Sequence, residues 1–210
     1  MKQALSVIHQ VQSDFLKILT ELQTTGGLTQ ERYVRFLSMQ YHLTNGVQRH
    51  FFAMAAHPSM AAKKNLRRFL LNFGDEEETH FQIAQKDIEN LGQEILPVNL
   101  DVRLWWAFFD RIINESPFIR LGATCILENI STGSADIIKK LIGESGYLNP
   151  RNTRFLVIHQ HEDLPHGAQI IEALEAADLN EAQLADLLNG AKWGSTMYLR
   201  MFHWVVTGKE

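Results

Sequence analysis

The sequence predicts an all-α protein, a single-domain helical bundle of roughly seven to nine helices over residues 1–210. Three observations lead there. Apolar residues recur at three- and four-residue spacings through most of the chain. Glycine and proline are sparse and stand mostly at the ends of those periodic stretches. No segment alternates apolar with polar residues between turns at hairpin spacing.

The first helix is expected from Lys2 to Gln23, where Ile8, Val11, Phe15, Ile18, Leu19 and Leu22 keep the period, and it stops at Gly26-Gly27. Thr29 suits the N-cap of a second helix, with Glu31 favourable in its first turn, and Pro58 ends that helix at His57. Ser59 caps a third segment that reaches Leu91 and closes at Gly92, with Gly74 as the point where it can break or bend. Residues 97–101 read as a loop. Helices follow over Val102–Glu115, Pro117–Ile130 and Ala135–Ile142. Asn149-Pro150 is a cap-and-first-turn signal for a long helix to Ala177, and Asn180 caps the last one, ending near Val206.

The bulk composition narrows the function classes. A 210-residue chain with 45% hydrophobic and 21% charged residues suits one domain with a full core. A net charge of −4 favours neither nucleic acid nor an anionic membrane surface. The basic cluster Lys63, Lys64, Arg67, Arg68 reads as a solvated helix face. One cysteine, Cys125, allows no intrachain disulfide, which fits a reducing compartment. The N-terminal segment has no continuous apolar core, and no run approaches the roughly 18 apolar residues of a membrane span. The expectation is a cytoplasmic protein, a homodimer through its aromatic helices, acting on a small molecule.

Three constellations carry chemistry. In His159-Gln-His-Glu-Asp163-Leu-Pro-His166, offsets of four and seven residues put His159, Asp163 and His166 on one helical stripe, collinear with Ile170. Two imidazoles and a carboxylate facing an apolar core are costly unless satisfied together, and a metal does that. Pro165 within the stripe should kink it, and His161 falls off its face. In Asp75-Glu-Glu-Glu-Thr-His80, either Glu76 or Glu77 shares a face with His80. The structural alternative there is an acidic decoration of a helix N-terminus. Glu128, inside Thr-Cys-Ile-Leu-Glu-Asn-Ile, is the third. Inward carboxylates and imidazoles from several helices are how bundles build dinuclear sites, and a thiolate-free set favours iron or manganese over structural zinc.

Across about residues 30–205 the chain resembles the haem-oxygenase-like dimetal oxidases, whose fold is shared with thiaminase-type and pyrroloquinoline-quinone-synthase-type proteins. The likeness rests on Phe73-Gly-Asp-Glu-Glu-Glu-Thr-His80 with Lys86 to Gly92, on Leu127-Glu-Asn129, and on Arg154 to His159 through His166-Gly. It implies a haem-oxygenase-like bundle in which two irons, or alternatively manganese, activate O2 to oxidise a small carboxylate- or amine-bearing substrate. Carried over by position, the ligands are Glu77, His80, Glu128, His159, Asp163 and His166. The sequence departs from some members at Phe73, where they carry a carboxylate, and in the Thr29–His57 segment, which has Gln40, His42, Asn45 and His50 but no acid after Glu31. Two other readings compete. One is a metal-free thiaminase-like hydrolase or transferase using Cys125 with Glu128; the other is a non-catalytic interaction protein with a vestigial site.

Overall fold

The computed structural model describes residues 2–159 and 166–209. Among them there is no strand, and no helix is long and apolar enough to cross a membrane. The first helix, α1 (Lys2–Thr24), buries Ile8, Val11, Phe15, Leu19 and Leu22, the face its periodicity marks. The last, α11 (Glu181–Thr207), starts in a capping box in which Asn180 and Gln183 satisfy each other's backbone N–H groups. Between them α7 (Pro117–Asn129) forms the axis of the molecule. Its side chains are buried on almost every face, and α11, α1, α3 (Gln48–Ala56), α6 (Leu100–Ile112) and α10 (His166–Glu175) pack round it.

Glycines set how closely α7 and α11 meet. A Cβ on Gly190 would lie 1.8 Å from the Ile119 carbonyl oxygen, and one on Gly122 would lie 2.1 Å from that of Leu187. The two backbones are therefore in direct contact. At the other end of α7, a Cβ on Gly167 would fall 2.7 Å from the Glu128 carbonyl oxygen and 2.5 Å from Asn129 Oδ1. That close approach brings the first turn of α10, and with it His166, against Glu128.

The long helices expected over 29–57 and 59–91 are each broken. Thr29 does cap α2 (Gln30–Thr44), accepting from Arg32 N–H, but Gly46 at φ +85° separates it from α3. Residues 58–60 form a 3-10 turn, and the third segment divides into α4 (Lys64–Glu77) and α5 (His80–Asn90). The division falls after the acidic run rather than at Gly74, which stays inside α4 against Phe51 and Phe52. Asp75, Glu76 and Glu77 thus occupy the C-terminal turn of α4, where the helix dipole opposes negative charge. An N-terminal decoration, the structural alternative for that run, is not what forms.

Two further boundaries differ. α6 starts at Leu100, inside the expected 97–101 loop and ahead of Val102, because Asn99 caps it by accepting from Val102 N–H at 2.9 Å. Asn149 and Asn152 close a local turn through Asn152 Oδ1 and Asn149 Oδ1, so Asn149-Pro150 starts no helix. After α8 (Ala135–Glu144) the next helix is the short α9 (Arg154–Ile158), with His159 as its C-cap. Residues 149–153 thus form a turn where the long helix to Ala177 was expected to start, and the His159–Asp163–His166 stripe runs through residues 160–165, which lie outside the described residues. Asp163, His161 and Pro165 lie outside the described residues.

Candidate metal centre

Five helices, α4, α5, α7, α9 and α10, converge on one end of the interior. Glu77 ends α4 and His80 begins α5, and their side chains meet with Glu77 Oε2 2.7 Å from His80 Nδ1. Both are buried, at 6% and 7% exposure. His166 presents Nδ1 to Glu77 Oε1 at 3.5 Å and to Glu128 Oε2 at 3.7 Å, while its Nε2 contacts Glu76 Oε2 at 3.2 Å. Of the two adjacent acids, Glu77 is thus interior, whereas Glu76 is about half exposed at the rim. His159 completes the group from α9: its ring packs 5.2 Å from His80.

His159 is aimed by two hydrogen bonds. Its own Nδ1 stands 2.7 Å from the Phe155 carbonyl oxygen, which assigns the proton to Nδ1 and leaves Nε2 as a lone-pair donor. The start of α9 is held by Asp87, a fully buried carboxylate on α5 whose Oδ2 accepts from Phe155 N–H at 2.8 Å. Burial raises the Asp87 pKa, against the pull of the Phe155 and Arg154 N–H groups.

The electrostatics are those of carboxylates held out of water. Burial raises the pKa of Glu128, and the Glu77 charge adds to it, while His166 works the other way. Burial alone would lower the His166 pKa; Glu128, Glu77 and Glu76 outweigh it and hold the ring above its ordinary value. His159 is exposed and also lines the cavity beside the cluster, and desolvation lowers its pKa.

Whether these residues suit a metal can be judged from the donors themselves. His80 Nδ1 is buried and has no hydrogen-bond partner, because the short Glu77 contact is not aligned as a hydrogen bond. A buried ring nitrogen close to a carboxylate oxygen but not hydrogen-bonded to it is a pair that a cation can satisfy. The donor types, two carboxylates and three imidazoles, suit iron or manganese. Among the described residues, however, no group of three or more His, Cys, Asp and Glu side chains is already arranged to hold an ion. The His166 imidazole sits against the carboxylates of Glu76, Glu77 and Glu128.

A cavity of 160 Å³ opens beside this cluster. Glu77, Glu128 and His159 stand in its wall, and apolar residues such as Phe15, Leu19, Leu22, Leu43 and Phe202 make most of the rest. Gln40 also lines it, from the segment without acids, and donates to Tyr198 Oη at 3.0 Å. Tyr41 and His42 do not: Tyr41 packs on Phe81, and His42 Nε2 lies 2.8 Å from the Leu96 carbonyl oxygen. Trp105 and Phe109 are core. Cys125 is buried at 4% exposure and is not among the residues lining the cavity, and burial pushes its thiol pKa far up, which disfavours the thiolate that a nucleophile needs.

Sequence reasoning missed a polar line leading from the surface to this cavity. Arg120, on α7, donates from Nε to His50 Nδ1 at 3.1 Å and from Nη1 to Thr124 Oγ1 at 2.6 Å. Since an arginine can only donate, His50 Nδ1 accepts, and its Nε2–H donates to Asp110 Oδ1 at 2.8 Å. The available signal was a lone arginine in the otherwise apolar stretch Phe118-Ile-Arg-Leu-Gly-Ala. Burial lowers the His50 pKa, Arg120 lowers it further, and both outweigh Asp110. The folded pKa therefore lies below the unfolded value of about 6.5. The stability this neutral ring contributes is complete above that pH and is lost as pH falls toward the folded value, by up to about 1.4 kcal/mol per pH unit. Urea unfolding at pH 7 and pH 5.5 should register that loss, and His50→Gln should flatten this part of the slope.

No family model and no curated relative matches the chain. Among solved structures it is similar to a protein from Shewanella denitrificans described as a domain of unknown function with a heme oxygenase-like fold. The TM-score is 0.77 at 18% identity, over 97% of this chain and 89% of that one. The chain accordingly has a haem-oxygenase-like fold.

Proposed function

We propose that the chain is a non-haem, iron-dependent oxidase or oxygenase that turns over a small substrate in the cavity. The observation that supports it most is the buried Glu77–His80 contact with its unsatisfied Nδ1, next to Glu128 and His166 and opening on an apolar cavity. Glu77, His80, Glu128, His159 and His166 would hold the metal, with Asp163 as the further ligand expected from the sequence. A pair of irons in such a site, or manganese, supplies the binding and reduction of O2.

The chain's own residues do the rest. Asp87 and the Phe155 carbonyl fix the ring and tautomer of His159, as partners of metal-bound imidazoles do. His166 holds a proton among the carboxylates until a cation replaces it, so metal uptake should release protons. The apolar wall keeps water from the reacting end of the substrate and strengthens every charge interaction there.

An oxygen electrode tests this reading. Iron-loaded protein with a reductant and candidate carboxylic acids should consume O2, and Glu77→Gln/Glu128→Gln should abolish the consumption. A second reading, a non-catalytic protein that keeps the fold, is favoured by the lack of a ready-made cage among the described residues. Bound iron with no O2 uptake under any of these conditions would support that instead.

A further inference from the structure

We infer that Arg120 is the anion-recognising residue of the cavity, so that the substrate is an apolar-tailed carboxylic acid bound as its carboxylate, and not an amine. The inference deepens the reading above and rests on it only for the step that follows binding.

Arg120 is 1% exposed and stands in the cavity wall. Burial lowers its pKa to about 10, against the upward pull of the Glu128 charge farther along α7, and leaves it charged at neutral pH. A buried charge is costly unless something compensates it. Among the described residues no carboxylate lies within ion-pair distance of it. Its two hydrogen-bond partners, His50 Nδ1 and Thr124 Oγ1, are neutral groups. The rings of Phe51, Trp105 and Phe109 lie 5.2 to 5.8 Å from the guanidinium carbon and offer only their π faces. Asp110 is reached through His50, so its charge does not touch the guanidinium. Of the five N–H donors in the fork, two are used within the described residues. A carboxylate can take the others in the bidentate geometry for which guanidinium is suited.

The rest of the cavity limits what carries that carboxylate. Its wall is mostly carbon, so the remainder of the ligand is apolar. Arg120, Thr124 and Glu128 recur every four residues on α7, which places them on one stripe, with about 12 Å of helix rise between the first and last. The anion site and the Glu128 end are thus separate stations on one cavity wall. A ligand amine at the first station would meet like charge in a poorly solvated place, which is unfavourable.

The test uses metal-free protein, full chain, with decanoate, 1-decanol and decylamine as probes, read by titration calorimetry. Wild type should bind decanoate at least about tenfold more tightly than either analogue, the scale of one or two charge-assisted hydrogen bonds. Arg120→Gln should remove that preference while leaving decanol binding unchanged. If Arg120→Gln does not fold, Arg120→Lys decides: the preference should shrink but persist, because the charge stays and the fork is lost. Equal binding of decanoate and decanol by wild type would overturn the inference, as would an undiminished preference in either variant. Glu128→Gln separates the two proposals. It should lose metal and keep the decanoate preference; loss of the preference in that variant would assign carboxylate binding to the metal cluster and overturn the role of Arg120.

Discussion

Gly190→Ala is expected to lower the melting temperature by roughly 5–10 °C, the largest stability effect of any single methyl group added to this chain. The new Cβ would lie 1.8 Å from the Ile119 carbonyl oxygen and 2.6 Å from its carbon, both backbone atoms that no rotamer change can move. The crossing of α7 and α11 would have to open by an ångström or more, and α7 carries Arg120, Thr124 and Glu128. Overpacking of this kind costs about 1–3 kcal/mol and more where backbone blocks relief, while alanine returns about 1 kcal/mol of helix propensity. Gly143→Ala is the control. Gly143 lies inside α8 and a Cβ there meets nothing within 4 Å, so that variant should be neutral or slightly stabilised. Thermal melts by circular dichroism report both.

Asp87→Ala is expected to weaken metal binding by about 10- to 100-fold without removing any ligand. Asp87 is the anchor that α5 extends to the start of α9, and α9 ends at His159. Without it the Phe155 N–H is left buried and unpaired, at a cost of about 1–3 kcal/mol, and the His159 ring loses its fixed position. Asp87→Asn keeps an acceptor of the same shape and should lose much less. Metal titration of the three proteins, alongside urea unfolding, separates the loss of affinity from the loss of stability.

These two residues also illustrate how much could be read from the chain alone. The core faces of α1 and α11 follow from apolar spacing, and Thr29, Pro117 and Asn180 mark helix starts that the structure keeps. The interruptions were harder to read. Gly46 turns the chain with one left-handed residue, and α4 ends inside an acidic run whose charges oppose its dipole. Glu77 and His80 come side by side, but across a helix junction instead of along a single helix face. His166 reaches Glu77 and Glu128 because Gly167 lets α10 touch α7, a close approach that helical spacing does not reveal. Asp87 carried no such signal, and Arg120 only that of a lone charge in an apolar stretch. Each is a charged residue within a helical pattern, and only the packing of other elements turns one into an anchor and the other into a cavity wall.

The acidic run at the end of α4 has its account in the same packing. Negative charge there is unfavourable for the helix, yet Glu76 and Glu77 both contact His166 and Glu77 also meets His80. Stability alone does not call for such an arrangement, and the proposed cation site would account for it.

The most direct measurement is metal content after anaerobic iron(II) loading and desalting, compared between wild type and the His80→Ala/His166→Ala double variant. Wild type is expected to retain about two irons per chain and to release protons as it takes them up, and the double variant is expected to retain fewer than one. Equal iron content in the two proteins, or no retained iron in wild type, would contradict a metal centre at Glu77, His80, Glu128, His159 and His166.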